Sequence, residues 1–454
     1  MNMTVEKATL KVTDGFDSDL DKEKSKMVLS VNEMEAAWQR LEDEVNARGA
    51  DGKAFVEAMK DYYSIYDYRL LKWMGGLFDS DIGGFYYSNS ARDNECAEYR
   101  GEICYFLPDV ESTMQATNVL LSTGVIESCD ELPEWMRSKI KEFVCSLQSP
   151  DDGYIHHPQW AGRKEVFSRI SRDLYWATIM EKKYGFKLPY PTAYERLEAI
   201  SDGTADEKEI ANQPPELCSK EAFLEYISSL DWKHNAYTWG NGIAAQSKQI
   251  IAAGLVDIAV DYMNSIQNEH NGLWGEQEGY MGNNALMKIT CFYDSVKRPI
   301  PRATLAVREA MKCLVTDEFA RTACYNFNVW YSILNIMTNL RRFGGAEGAA
   351  EAQAISDELL RDAPRFIKAT KQKILTFRKD DGSFSILTDR TSPIAQGMPV
   401  AVEGTNEGDL NALTLCSGGT YSRMYCCFGL NEFIVPVFTK EALDVFLGSI
   451  VRKP

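Results

Sequence analysis

Five acidic residues open predicted helices: Asp109 and Glu111 in PDVESTMQATNVLLSTG, Asp173 in SRDLYWATIMEKKYG, and Glu407 and Asp409 in EGDLNALTLCSGG. Two carboxylates in different surroundings divide into a protonated acid and an ionised base, the arrangement that cleavage of a glycosidic bond requires. Asp109 and Asp173 make the sharpest pair, and Glu111 and Asp409 complete the predicted catalytic set. An aspartate in a first helical turn also caps free N–H groups at the positive end of the dipole, so each has a structural use as well. Arg169 and Arg172 can fork onto a substrate carboxylate or onto Asp173 itself. The predicted substrate-binding set adds Arg172, Tyr175, Trp176, Tyr237, Trp239, Asn241, Trp274, Glu276, Asn326 and Glu407. Sugars bind to that mixture, with hydroxyls on charged and carboxamide groups and ring faces stacked on Trp or Tyr.

The elements that must position these residues recur along the chain. FDSDIGGFYY around Gly84, LQSPDDGYIHH around Gly153, IQNEHNGLWGE around Gly272 and FRKDDGSFSIL around Gly382 share a polar turn, a glycine and, in most copies, a following aromatic. Their glycines are 69, 119 and 110 residues apart, which gives a unit of roughly 55–70 residues with two copies degenerate. In each unit an amphipathic helix stops at the turn and a second helix follows. The inner helices are predicted to open near Pro108, Ser171, His234, Gly282, Ala323 and Glu407. The outer set spans 53–75, 132–148, 219–230, 254–267, 301–316 and 347–376, with 32–48 and 440–451 flanking it. Strand-like alternation is almost absent. Six such pairs suffice to close a ring, so the expected fold is all-α, an (α/α)6 toroid with long inter-helix loops. Residues 1–50 then form an N-terminal tail and leading helix, and 51–454 form one toroid domain. In that ring the inner-helix starts, Asn283, Asn284 and Lys288 among them, converge on one mouth. The Pro-rich, acidic stretch 188–217 is a surface insertion.

The helix, glutamine, Asp-Gly turn and aromatic of FVCSLQSPDDGY and YMNSIQNEHNGLWG resemble the repeat of the terpenoid cyclase and protein prenyltransferase β-subunit superfamily. The acidic helix starts resemble those of six-hairpin glycosidases, the unsaturated glucuronyl and rhamnogalacturonyl hydrolases, and of related lyases. Over residues 53–451 the resemblance implies an α/α toroid and, by position, aspartates at successive inner-helix starts. The chain departs from the cyclase acid motif DxDD, because FDSDL at 16–20 and FDSDI at 78–82 lack the second consecutive aspartate. It offers no evident Asp/Cys/His zinc set of the prenyltransferase kind.

The 66 acidic and 49 basic residues leave a formal charge of −17, which repels phosphate backbones and anionic lipid surfaces. No nucleic acid or membrane partner is expected. The N-terminus lacks the apolar core of a signal peptide, and eleven scattered cysteines fit reduced, buried thiols, so the expected compartment is cytoplasmic. No cofactor and no metal site are expected. The leading expectation is a carbohydrate-active hydrolase acting on a small oligosaccharide or uronic-acid-containing glycoside, with a homo-oligomer open. An isoprenoid cyclase or prenyltransferase-like enzyme, a polysaccharide lyase or epimerase, and a non-catalytic binding toroid are the alternatives.

Overall fold

The computed structural model describes residues 28–161, 166–193, 195 and 215–451. Most of the predicted N-terminal tail, the FDSDL string and much of the 188–217 insertion lie outside these residues. The described chain is predominantly helical. In chain order the helices are α1 (Val31–Ala47), α2 (Gly52–Tyr63), α3 (Tyr68–Gly76), α4 (Asn89–Asp93), α5 (Val110–Ser122), α6 (Glu134–Ser146) and α7 (Val166–Tyr184). They continue with α8 (Lys220–Ser229), α9 (Trp232–Ala245), α10 (Ser247–Ala252), α11 (Val256–Ile266), α12 (Gly279–Ser295), α13 (Ala303–Leu314) and α14 (Ala323–Phe343). The last are α15 (Gly345–Arg361), α16 (Ala363–Leu375), α17 (Leu410–Cys416), α18 (Gly418–Cys427) and α19 (Ala442–Gly448). Among the described residues the strands form short antiparallel hairpins, of which Cys96–Tyr99 with Glu102–Tyr105 is the longest.

Local chemistry explains where the boundaries differ from expectation. The helix expected over 53–75 is two, because Asp67 turns to extended backbone and caps α3 through the Arg69 N–H. The one expected over 347–376 breaks at Asp362, where Pro364 stands in the first turn of α16 and withholds an N–H. The described part of α7 begins at Val166, not Ser171, so Asp173 lies inside a helix and is no N-cap.

Helices α5 and α7 pack together, as do α9 and α12, α12 and α14, and α14 with α17 and α18, which return to α5. Helices α12 and α14 are buried on most faces, as helices enclosed by others must be. By contrast α13 buries one stripe, Ala303, Ala306, Val307, Ala310 and Cys313, at helical spacing. One apolar cluster extends from Leu29 to Ile450.

The repeated turn has a definite packing task. Gln267 donates to the Gly272 and Pro301 carbonyls, both at 2.8 Å, tying its own turn to the start of α13. Gln148 does the same for Gly153 and Tyr190. In the last copy Arg378 replaces the glutamine and reaches the Ile65 carbonyl at 2.8 Å, just before α3. Gly272 (φ +70°) and Gly382 (φ +87°) sit where a Cβ would stand 2.6 Å from Ala306 N and 2.7 Å from Leu70 N, so no side chain fits. In the first copy Gly83, not Gly84, has the positive φ and lies against Lys139 of α6.

Candidate functional site

At the N-terminal ends of α5 and α7 the chain assembles a buried charge cluster. Asp109 pairs through its backbone with Phe85, and this extended segment delivers it to the N-cap of α5. Its Oδ1 accepts from the Ser112 N–H at 2.8 Å and its Oδ2 from the Ser112 hydroxyl at 2.7 Å. Arg169, on α7, presents each guanidinium nitrogen to a different carboxylate: Nη2 to Asp109 (2.7 Å), Nη1 to Glu111 (3.1 Å) and Nε to Asp173 (3.0 Å). It is 1% exposed. Trp160 closes the cluster, its ring 4.4 Å from the Arg169 guanidinium carbon, with His157 stacked on it at 4.3 Å.

Arg172, one turn-step further along α7, grips Glu111 Oε1 through Nε (2.8 Å) and Nη2 (2.6 Å). Its side chain is 36% exposed, against 6% or less for the three carboxylates and Arg169, so Arg172 is the part of the cluster that meets solvent. Gln115 extends the network, donating to Glu111 (3.4 Å) and to Asn411 Oδ1 (3.3 Å) on α17. Trp176 lies under the Arg172 guanidinium at 5.6 Å, and Tyr175 is half-buried beside it.

Electrostatics separates the acids. Three carboxylates against two guanidiniums leave one negative charge in excess in a water-poor site. Burial pushes the Asp173 carboxyl up to about 7, with the Asp109 and Glu111 charges adding to the rise and Arg169 opposing it. For Glu111 burial is outweighed by Arg172 and Arg169, which hold it below its ordinary value. Near neutrality the cluster thus contains an ionised Glu111 and an Asp173 poised to hold a proton, the division that acid and base chemistry uses.

The other predicted residues lie in several places. Asp409 caps α17, accepting from the N–H groups of Ala412 (2.7 Å) and Ile386 (2.9 Å) and from the Thr391 hydroxyl (2.7 Å), and burial raises it to about 6. Glu407 is buried and holds the first turn of α4, accepting from the Ser88 hydroxyl (2.8 Å), the Ser90 N–H (2.8 Å) and the Ser90 hydroxyl. Trp239 and Asn241 line a cavity of about 240 Å³ between α8 and α9. Tyr237 is exposed on α9. Trp274 is fully buried, its indole donating to the Met263 carbonyl at 2.8 Å, and Glu276 pairs on the surface with Lys233 at 2.9 Å. Asn326 is buried between α12 and α14, accepting from the Tyr280 hydroxyl at 3.4 Å. Of the predicted set the structure therefore joins Asp109, Glu111, Asp173, Arg172 and Trp176, with Tyr175 adjacent. Trp160, Gln115 and the buried His157 complete the assembly. The four-residue spacings of Arg169–Asp173, Glu111–Gln115 and Arg172–Trp176 are local signals of the assembly, whereas the Arg169–Asp109 and Arg172–Glu111 contacts bridge 60 and 61 residues.

Among the described residues no three His, Cys, Asp or Glu side chains are grouped to hold a metal ion, and no helix is long and apolar enough to cross a membrane. No protein-family model matches the chain, and comparison with curated proteins and with solved structures finds no significant match.

Proposed function

We propose that the chain is a closed ring of six helix pairs, one domain over 51–454, and that it works as a glycoside hydrolase on a small oligosaccharide or uronic-acid-containing glycoside. The ring reading is supported by the run of packing from α9 to α12, α14, α17 and α18, α5 and α7, and by the last turn, whose Gly382 meets α3. The activity rests on one observation: Glu111 and Asp173 share the Arg169 guanidinium while their environments push their proton affinities apart. In this reading Glu111, reached when Arg172 moves aside, is the carboxylate that meets substrate or the attacking water. Asp173 holds the proton behind it, and Asp109 positions Arg169. The polar Glu111–Arg172–Gln115–Asn411 patch speaks against an isoprenoid cyclase, which needs an apolar lining with one acid.

The test is hydrolysis of a panel of 4-nitrophenyl glycosides and unsaturated uronide disaccharides. Glu111→Gln should lower kcat by about 10²–10⁴, the usual weight of an acid or base. Asp173→Asn should remove an alkaline limb near pH 7 from the kcat/KM profile. No turnover on any substrate, or wild-type kcat in Glu111→Gln, overturns the assignment.

A further inference from the structure

Apart from the acid cluster, the cavity of about 240 Å³ between α8 and α9 has a chemistry of its own. Its walls are aromatic: Phe223 and Trp232 are buried, Tyr226 and Trp239 half-buried. The Trp232 indole donates to the Ile227 carbonyl at 2.9 Å, and the Phe223 and Tyr226 rings stand 6.5 Å apart at 45°, so the fold sets these walls. Among the described residues no carboxylate, ammonium or guanidinium lines the cavity. The Trp239 indole N–H is buried and makes no hydrogen bond among the described residues.

Gly242 lines the same cavity from the interior of α9. Neither backbone conformation nor close packing explains a glycine there: its φ is not positive, and a Cβ on it would meet nothing within 4 Å. Gly240 differs, because a Cβ there would stand 2.9 Å from Ile289 Cγ1 on α12. A glycine inside a helix is less stable than alanine, so α9 gives up stability to keep one wall of the cavity bare.

Aromatic walls without charge favour a flat, uncharged ring, which stacks on them and gives up little hydration. A buried N–H without an acceptor favours an oxygen on that ring. We propose that the cavity between α8 and α9 binds an uncharged aromatic molecule, its ring against the Phe223, Tyr226, Trp232 and Trp239 walls and its acceptor oxygen on the Trp239 N–H. Gly242 leaves the space for it. None of the acid-cluster residues lines the cavity, and the proposal does not rest on the hydrolase reading.

Binding is measured on the full chain by ligand-observed NMR titration, independently of glycoside turnover, with coumarin, octahydrocoumarin, indene and naphthoate as probes. Coumarin should bind about fivefold or more tighter than octahydrocoumarin, which lacks the aromatic face, and than indene, which lacks the oxygen. Naphthoate, which carries a charge, should bind about tenfold weaker or worse. Gly242→Leu should abolish coumarin binding with the thermal midpoint unchanged or raised. Gly242→Ala, the smaller change, should weaken binding by about twofold or more and decides the matter if the leucine variant does not fold. Trp239→Phe keeps a ring face, removes the N–H and should bring coumarin and indene within about twofold of each other. No binding of coumarin, unchanged affinity in a folded Gly242→Leu or in Gly242→Ala, or a preference for octahydrocoumarin or naphthoate overturns the proposal. So does an undiminished coumarin advantage in Trp239→Phe.

Discussion

Arg169 Nε and Asp173 Oδ1 lie 3.0 Å apart, one helical turn along α7, in a contact that is an ion pair without hydrogen-bond alignment. The other Asp173 oxygen, Oδ2, has no hydrogen-bond partner among the described residues. A carboxylate left so poorly solvated is favoured in its neutral form, which agrees with the excess negative charge of the cluster. Arg169 is the counter-charge that makes the rest tolerable. Replacing it by Met should destabilise the fold by about 3–5 kcal/mol, because Asp109, Glu111 and Asp173 would then be buried with Arg172 as their one guanidinium. Urea unfolding followed by circular dichroism measures this, and a loss under 1 kcal/mol would contradict the burial of the charges.

Stability should depend on pH through the same residue. The Asp173 carboxyl near 7 lies above its unfolded value of about 3.9, so between those limits the native state holds a proton that the unfolded chain has released. Stability from this group is full below about pH 4, falls as pH rises towards 7 and is level beyond. Asp409, raised to about 6, acts in the same sense. The difference between wild type and Asp173→Asn isolates the first contribution. Thermal midpoints taken from pH 4 to 8 should show wild type losing ground against the variant across that window. Parallel curves would mean that Asp173 titrates normally.

The helices were readable and the site was less so, for a physical reason. Helical periodicity and turn residues are local, so the segments α11, α13 and α14 lie within about two residues of their expected places or at them. Asp109 could be read as a helix start because a cap is defined by its own next three residues. Asp173 was not separable from a cap, since the earlier start of α7 carries no strong local stop or start signal. Its proton affinity is set by burial, by Arg169 on its own helix and by Asp109 and Glu111 at the start of α5, which lie far upstream in the chain. The turn glutamines were visible as a repeat, but their second acceptors, Tyr190 and Pro301, are 42 and 34 residues away.

His157 gives a second pH signature of opposite sign. Its Nδ1 accepts from the Gln159 N–H at 3.2 Å, which leaves the proton on Nε2, directed at the Pro108 carbonyl 2.8 Å away. Burial lowers the imidazole to about 4, below the unfolded value of about 6.5, so the unfolded chain binds the extra proton first. This contribution is present above pH 6.5 and is lost as pH falls through about 4. Nitrogen-15 spectra of labelled histidine, assigned with a His157→Gln variant, should show the His157 ring as a neutral Nε2–H tautomer at pH 5.5. A charged His157 at that pH would refute the assignment.

The repeat itself can be tested at Gly272. Its φ of +70° costs a side chain about 1–3 kcal/mol, and the 2.6 Å approach of Ala306 N to any Cβ adds a clash with backbone that cannot rotate away. Gly49, with φ +79° and nothing within 4 Å of its would-be Cβ, carries the first cost without the second. Gly272→Ala should therefore lower the urea midpoint more than Gly49→Ala, and the excess measures the contact between the turn and α13. Equal shifts would mean that the turn tolerates a methyl group there, and that the repeated glycine serves backbone conformation alone.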